Sequence, residues 1–263
     1  MNMGSFWNEK TYLPENAGYS LFSARYFLFL SLCLFIAALA VFLYGRASEK
    51  RKNILLRIFA WIPLGMEILK TVVLLAQGCF TPNYYPIGFC SLVIYLYPLY
   101  ICIPNGKARE VMRCIICAVM LPAGLVTLLF PNWIGQYPFL SYFSLHSYIW
   151  HTLMIVYPLW AWQKEREPLR FRYLAPGFAS VLCLIPIIVL INSLAGTNYW
   201  FLSAPTDNHP LAPIHHALGT WGYFTILVLV GVAVASLSAW IQNLFIPRCL
   251  KKASTSKPAV TEP

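Results

Sequence analysis

Charged residues are scarce in this chain of 263 residues, and their scarcity excludes a soluble fold. Asp, Glu, Lys and Arg make up 11% of the sequence, whereas soluble domains contain roughly 25%. Hydrophobic residues make up 59%, and the mean hydropathy is +0.63. So few polar side chains cannot cover a water-exposed surface, and the composition therefore predicts a membrane protein.

The chain also lacks the motifs of several soluble enzyme classes. It contains no Gly-rich phosphate loop, no HExxH, no GxSxG and no repeat of roughly 20 to 50 residues. Its eight cysteines are scattered, mostly within apolar stretches, which argues against a disulfide framework. Cys114 and Cys117 form a CxxC pair without a second pair or a nearby His, so packing is favoured over a metal or redox centre. We predict no cofactor and no bound metal.

Long apolar runs are what the chain has in place of such motifs. A helix needs about 20 mainly apolar residues to cross the hydrocarbon core of a bilayer. Runs of this length lie near residues 21–44, 54–77, 86–104, 111–130, 138–163, 173–195 and 220–243. The sequence predicts an all-α polytopic membrane protein, a bundle of seven transmembrane helices.

Basic residues occupy every second loop between these runs. Lys and Arg cluster at 46–52, 107–113, 164–172 and 248–257, whereas the loops 78–85, 131–137 and 196–219 contain neither. Basic loops remain in the cytoplasm, so we predict an outside N-terminus and a cytoplasmic C-terminus in the cell membrane. Because the net charge of +10 resides mostly in these loops, the expected partners are membrane lipids and not nucleic acid.

Three segments follow from this pattern. Residues 1–20 are predicted to be extracytoplasmic, and residues 21–247 to form the transmembrane domain with a retained first helix. Residues 248–263 are predicted to be a polar, basic and disordered cytoplasmic tail.

Ionisable side chains within a span are costly and are therefore candidate functional residues. Span two contains Glu67 and Lys70, which are three residues apart and neighbours on one helical face. They are either a structural pair or a substrate-binding pair in which Glu67 orients a histidine or a polar group of a ligand.

Span five contains His146 and His151. Five residues separate them by about 140° around a helix, so they do not share a face, and a metal site built from both is disfavoured. Each is either a satisfied buried histidine or a residue that lines a cavity.

Cys90 lies near the outer end of span three, in the segment 86–91. Spans three and five run in the same direction, so Cys90 and His146 lie about 6 Å and about 12 Å below the outer boundary. If the two helices are neighbours, the imidazole can deprotonate the thiol and produce a nucleophile for acyl transfer. The alternative is that Cys90 simply packs within the bundle.

Carboxamides lie at the same outer level. Asn192 and Asn198 flank Gly196, where span six can end. They are candidates to stabilise an oxyanion or bind a head group, although a contact across helices and a turn cap are simpler roles. The next loop contains Asp207, Asn208, His209, His215 and His216, for which surface positions are favoured over a metal site.

The segments 86–91, 143–151 and 192–202, in this order on spans three, five and six, resemble the YwaF-type family of integral membrane proteins. The resemblance covers most of the chain. It implies kinship with eukaryotic lipid acyltransferases that remodel ether phospholipids through a cysteine, and with more distant lipid-ester hydrolases.

Carried over to this sequence, the resemblance assigns the family cysteine to Cys90, its histidine to His146 and its Asn-Tyr signature to Asn198 and Tyr199. The family pattern has a histidine two positions before the cysteine, where this chain has Gly88. The resemblance therefore implies the fold and the site more strongly than the activity.

The functional hypothesis is a phospholipid acyltransferase or lipid-ester hydrolase. Cys90, His146, Asn192 and Asn198 are its catalytic candidates, and Glu67, Lys70, His151 and Tyr199 are its substrate-binding candidates. A receptor or transporter for a solute or lipid, and a helper subunit without chemistry of its own, are the alternatives.

Overall fold

The computed structural model describes residues 6–205 and 209–255, and this part of the chain is helical without strands. The helices are α1 (Ala24–Arg46), α2 (Glu49–Ala76), α3 (Val93–Cys102), α4 (Lys107–Cys114), α5 (Leu121–Leu129), α6 (Tyr142–Glu165), α7 (Leu174–Leu182), α8 (Ile185–Ala195) and α9 (Ala212–Thr255). A π-helical segment, Ile115–Met120, joins α4 to α5. The 3-10 turns are Lys10–Tyr12, Pro82–Tyr84, Cys90–Leu92, Phe171–Tyr173 and Tyr199–Phe201.

The all-helical class and the membrane-spanning character are confirmed. Five stretches are long and apolar enough to cross a bilayer: Ala24–Arg46, Glu49–Ala76, Lys107–Leu129, Phe171–Ala195 and Ala212–Phe245. The apolar helix Cys90–Cys102 is shorter, and α6 is long enough but carries many polar and aromatic side chains. The count of seven spans and their orientation stay predictions.

Serine caps set where three of the long helices begin. The side chains of Ser23, Ser48 and Ser141 accept hydrogen bonds from backbone N–H groups three residues further on, which satisfies donors that the helix itself leaves free. The cap at Ser48 starts α2 five residues before the apolar run that begins at residue 54. The basic residues of the first loop therefore belong largely to the first turns of α2.

Helix α6 lies at the centre of the bundle. It packs against α1, α2, α5 and the π-helical segment, and 14 of its 24 residues are buried. By contrast, α1 and α2 expose large apolar side chains along one face, as expected for helices that contact lipid. The other helices shield α6 from lipid, so α6 tolerates more polar residues than they do.

The predicted basic loops meet at one end of the bundle. The carboxylate of Glu49, at the start of α2, lies 2.6 Å from Lys164 and 3.6 Å from Arg166, at the end of α6. Arg109 of α4 pairs with Glu165 at 3.0 Å. Three segments that are distant in sequence therefore lie on the same side, as the charge pattern requires.

The N-terminal segment folds onto the opposite end. The backbone N–H of Glu9 donates to Gln77 Oε1 at 2.9 Å, and Gln77 Nε2 donates to the carbonyl of Trp7 at 2.7 Å. Tyr84 donates its hydroxyl hydrogen to the Glu9 carboxylate. The part of residues 1–20 that the structure describes is thus a docked cap.

The last helix is the longest of those described. Helix α9 continues to Thr255, with a break at Gly219 where φ is +65°, and a cytoplasmic tail from residue 248 stays a prediction. Residues 256–263 lie outside the described part of the chain.

Candidate functional site

Cys90 lies where α3, α5 and α6 meet. It occupies the first position of the 3-10 turn before α3, and its Sγ lies 4.0 Å from Oγ1 of Thr127 on α5. The Thr127 hydroxyl donates to the carbonyl of Ala123 at 2.8 Å. The Cys90 carbonyl accepts a hydrogen bond from Nε1 of Trp150 on α6 at 3.3 Å. The side chain of Cys90 therefore contacts α5, and its backbone contacts α6.

His146 lies one turn before Trp150 on α6. The two rings are nearly parallel, with 5.4 Å between their centroids, and the Tyr142 ring lies 5.8 Å away on the other side. Within the described part of the chain, the Nε2 atom of His146 is buried without a hydrogen-bond partner. The imidazole is thus held between two aromatic rings and retains a free nitrogen.

The structure brings Cys90 and His146 to the same tryptophan. Trp150 donates a hydrogen bond to the backbone of Cys90 and stacks on the ring of His146. The thiol itself contacts Thr127, so Cys90 and His146 share Trp150 as a neighbour through the backbone of Cys90 and the ring of His146.

Glu67 and Lys70 form an ion pair on the face of α2 that lies towards α6. Lys70 Nζ is 2.7 Å from Glu67 Oε1, and the side chains are 16% and 6% exposed respectively. Their alignment is poor for a hydrogen bond, because Oε1 has no such partner among the described residues. The side chain of Lys70 is close enough to interact electrostatically with His146, and that of Glu67 is close enough to interact with Tyr142. The structure therefore groups these candidates with His146.

His151 contacts a different set of residues. Its Nδ1 lies 2.7 Å from the carbonyl of Ser147, which makes Nδ1 the protonated nitrogen of the neutral ring. The ring stacks on Trp133 with 5.0 Å between centroids. As a substrate-binding residue, His151 stays a prediction, and its direct contacts do not include the Glu67–Lys70 pair.

Asn192 and Asn198 brace the loop that follows α8. Asn192 Oδ1 accepts from Tyr199 N at 2.8 Å and from Thr197 Oγ1 at 2.9 Å, while its Nδ2 donates to the Tyr199 carbonyl at 3.1 Å. Asn198 Nδ2 donates to Ala204 at 2.8 Å. Because these hydrogen bonds use both amides, the structure gives them a bracing role, and contact with an oxyanion stays a prediction.

The braced loop in turn holds the segment that leads to Cys90. The hydroxyl of Tyr199 lies against the carbonyls of Pro82 and Tyr85, the latter at 3.2 Å. Trp200 Nε1 donates to the Ile87 carbonyl at 2.9 Å. Tyr199 and Trp200 therefore hold the segment before Cys90, and a role of Tyr199 in substrate binding stays a prediction.

The N-terminal cap covers the end of this site at which α6 begins. The ring of Trp7 lies 4.9 Å from that of Tyr142, whose ring is in turn a neighbour of His146. Although burial works to raise the pKa of Glu9, hydrogen bonds from Tyr84 and Thr11 outweigh it and lower the pKa below the ordinary value. The cap is therefore held by an ionised carboxylate.

Two tyrosines beside this carboxylate are shifted in the opposite direction. Burial and the nearby charge raise the pKa of Tyr84. Burial raises the pKa of Tyr137 to about 12. Both hydroxyls keep their protons at neutral pH and can act as donors.

Sequence reasoning missed Thr127 and Glu9. Thr127 is a polar residue in an apolar run, which is itself a signal, but a threonine in a helix often bonds to its own backbone, as this one does. The sequence around Glu9 does not mark this residue, because its partners Gln77 and Tyr84 lie about 70 residues away in sequence.

The histidines of the longest predicted loop do not form a metal centre in the part of the chain that the structure describes, where no group of three or more His, Cys, Asp or Glu could hold an ion. His215 lies beside Tyr223 with 5.5 Å between the ring centroids, and the ring of His209 is 6.2 Å from the same tyrosine. Asp207 and Asn208 lie outside the described residues.

Comparison with known proteins agrees with the architecture. A family model described as the TMEM164 family matches residues 21–241, which includes every helix from α1 to α8 and most of α9. No curated protein and no solved structure matches the chain.

Proposed function

Because the chain belongs to the TMEM164 family of membrane proteins, we propose that it is a multi-pass enzyme of the cell membrane that transfers or hydrolyses lipid acyl esters through Cys90. The observation that carries the proposal is the junction at Trp150, which contacts both the backbone of Cys90 and the ring of His146. The YwaF-type resemblance, seven spans and an outside N-terminus belong to the same proposal.

In the proposed reaction, the thiolate of Cys90 attacks the ester carbonyl of a phospholipid acyl chain and displaces the lysolipid oxygen. His146 Nε2 accepts the thiol proton and returns it to the leaving oxygen. The acyl group then passes from the thioester to a second lysolipid or to water. The transfer requires a separation of about 3 Å between nitrogen and sulfur, so substrate must turn the thiol away from Thr127.

The remaining candidates have supporting roles in this scheme. Glu67 and Lys70 lie beside His146 and can orient the polar part of the lipid. Asn192, Asn198 and Tyr199 act by holding the segment before Cys90. Gly88 leaves the segment without the histidine that the YwaF-type pattern has, so His146 is the proposed base.

The test uses purified full-length protein in phospholipid nanodiscs. We expect Cys90→Ala to abolish the release of lysolipid, and we expect mass spectrometry of the unaltered protein to detect an acyl thioester on Cys90. Cys102→Ala is the matched control, since Cys102 lies exposed at the other end of α3. Turnover that persists in Cys90→Ala contradicts the proposal.

A second candidate function rests on the buried Glu67–Lys70 pair. Burying ionisable groups in a membrane costs free energy, and residues of this kind commonly have a function. In this alternative, the protein binds a polar solute or lipid head group without chemistry. It is favoured if Glu67→Gln abolishes binding of radiolabelled lipid while Cys90→Ala has no effect on either binding or turnover.

A further inference from the structure

The N-terminal cap bridges the ends of α2 and α6, two helices that pack against each other. Gln77, the C-cap of α2, exchanges hydrogen bonds with the backbone of Glu9 at 2.9 Å and of Trp7 at 2.7 Å. The ring of Trp7 lies against that of Tyr142, the first residue of α6. The cap therefore closes one end of the interface between these helices.

The proposed base lies in this interface, close to the cap. His146 follows Tyr142 by four residues, about one helical turn, and its imidazole interacts with the backbone of Met66 and with Lys70, both on α2. The Nε2 atom is buried. Because a general base must come within hydrogen-bond reach of its substrate, part of the protein has to move before His146 can act on a lipid.

One part of the cap is fixed firmly to the rest of the protein. The backbone N–H of Tyr19 donates to the carbonyl of Ile134 at 2.8 Å, and the hydroxyls of Tyr19 and Tyr148 share a hydrogen bond at 2.7 Å. At Gly18 the chain passes so close to this carbonyl that a Cβ atom would lie 2.1 Å from its oxygen, an approach that only glycine allows. The cap is therefore tethered at residues 18–19.

The part that contacts α2 and α6, residues 6–13, is held differently. The Glu9 carboxylate organises it, because it accepts hydrogen bonds from the backbone and hydroxyl of Thr11 and from the hydroxyl of Tyr84. An exposed turn, residues 14–16, joins this part to the tether. Releasing a surface segment that is held by a few hydrogen bonds costs less than separating packed helices. Residues 6–13 are therefore the element best placed to move.

We propose that residues 6–13 form a lid that must lift from α2 and α6 before a lipid can reach His146, with the Glu9 carboxylate as its latch. The turn at residues 14–16 is the hinge, and the contacts of Tyr19 keep the open lid attached. The purpose of the lid rests on the proposed function. Its opening is measured without turnover, because a small reagent that modifies imidazole needs the same access to His146.

The first test locks the lid with a disulfide in the full-length protein in phosphatidylcholine nanodiscs. Oγ1 of Thr11 lies 3.5 Å from Sγ of Cys79, so Thr11→Cys brings two thiols together, and diamide oxidises them by taking up their hydrogens. Mass spectrometry follows the modification of His146 by diethyl pyrocarbonate. We expect the disulfide to slow this reaction at least about tenfold, because it suppresses the opening, and we expect dithiothreitol to restore the rate.

Two controls separate the lock from general effects of oxidation. His216, which is exposed on α9, should react at the same rate in the oxidised and reduced protein. Thr11→Cys combined with Cys79→Ser cannot form the disulfide, so diamide should leave its reaction at His146 unchanged.

The second test releases the latch. Glu9→Gln replaces the carboxylate with a neutral amide, which is a weaker acceptor, and should make His146 react about tenfold faster. Glu15→Gln is the matched control, because it removes a carboxylate from the exposed hinge of the same segment, and it should leave the rate unchanged.

Lipid turnover should change in the same direction as the reaction of His146. If the unaltered protein shows no turnover, the proposed function fails, and the reaction of His146 decides the lid by itself. The lid is overturned if His146 reacts equally in the locked and reduced protein, if Glu9→Gln and Glu15→Gln react alike, or if His146 reacts in no state.

Discussion

Replacing Lys70 with methionine tests how much the charges of Glu67 and Lys70 on α2 stabilise each other. Methionine resembles lysine in length, so the change removes the ammonium group and leaves most of the packing. Glu67 is then left buried, at 6% exposure, without its cation. Removing one partner of a buried pair typically destabilises a protein by about 3–5 kcal/mol.

Replacing both partners should cost much less. In the double variant, Glu67→Gln with Lys70→Met, no unpaired charge is left, and such replacements are often close to neutral. The two single substitutions should therefore be non-additive by about 2–3 kcal/mol, within the range found for residues in direct contact. Unfolding by sodium dodecyl sulfate in mixed micelles measures all four proteins of the cycle.

The control is Lys50→Met, which removes an exposed lysine from the first turn of the same helix. A surface change of this kind should alter the free energy of unfolding by about 0.5 kcal/mol or less. If Lys70→Met costs no more than Lys50→Met, or if the effects at 67 and 70 simply add, then the pair is not coupled in the folded protein, and the reasoning is wrong.

Three other substitutions test the cap, the braced loop and the contact between α5 and α6. Because the pKa of Glu9 is lowered on docking, the cap should be held above the ordinary carboxyl pKa of 4.5 and released as the pH falls through the lowered value. Lys10 is exposed but lies in an ordered 3-10 turn, so Glu9→Gln should speed trypsin cleavage after Lys10 at neutral pH. Asn192→Ala removes three hydrogen bonds and should destabilise the protein by about 2–3 kcal/mol in a thermal unfolding assay. Gly124→Ala places a Cβ 2.8 Å from that of Met154 and should cost about 1–3 kcal/mol, whereas Gly65→Ala, with open space around it, should be neutral or stabilising by the same assay.

The helical architecture could be predicted because hydrophobic length is a local property. Each apolar run of the sequence corresponds to helix in the structure, since every backbone group within lipid must find its partner nearby. Helix α2 begins before its apolar run, because a serine cap and a charged first turn extend it towards the N-terminus. The run at 173–195 is helical in two pieces, α7 and α8, with a turn before Pro186.

The site could be predicted only in part. Depth along each helix predicts Cys90 and His146 at a similar level, and both residues contact Trp150, but rotation about the helix decides what a side chain touches. This rotation directs the thiol towards Thr127 and makes Trp150 the shared neighbour. The roles of Asn192 and Asn198 were predicted from their spacing around Gly196 at the end of span six, whereas their partners depend on the path of a loop. Such contacts are set by tertiary packing and leave no periodic signal.

The central position of α6 has a consequence for how the protein is made. A segment with Ser144, His146 and His151 inserts poorly into lipid by itself, because its polar groups favour water. It becomes compatible with the membrane only when α1, α2 and α5, which precede it in the chain, are present to surround it. Chains that lack α1 and α2 but retain α6 should therefore leave α6 outside the bilayer, and the site around His146 would assemble only after the first half of the bundle.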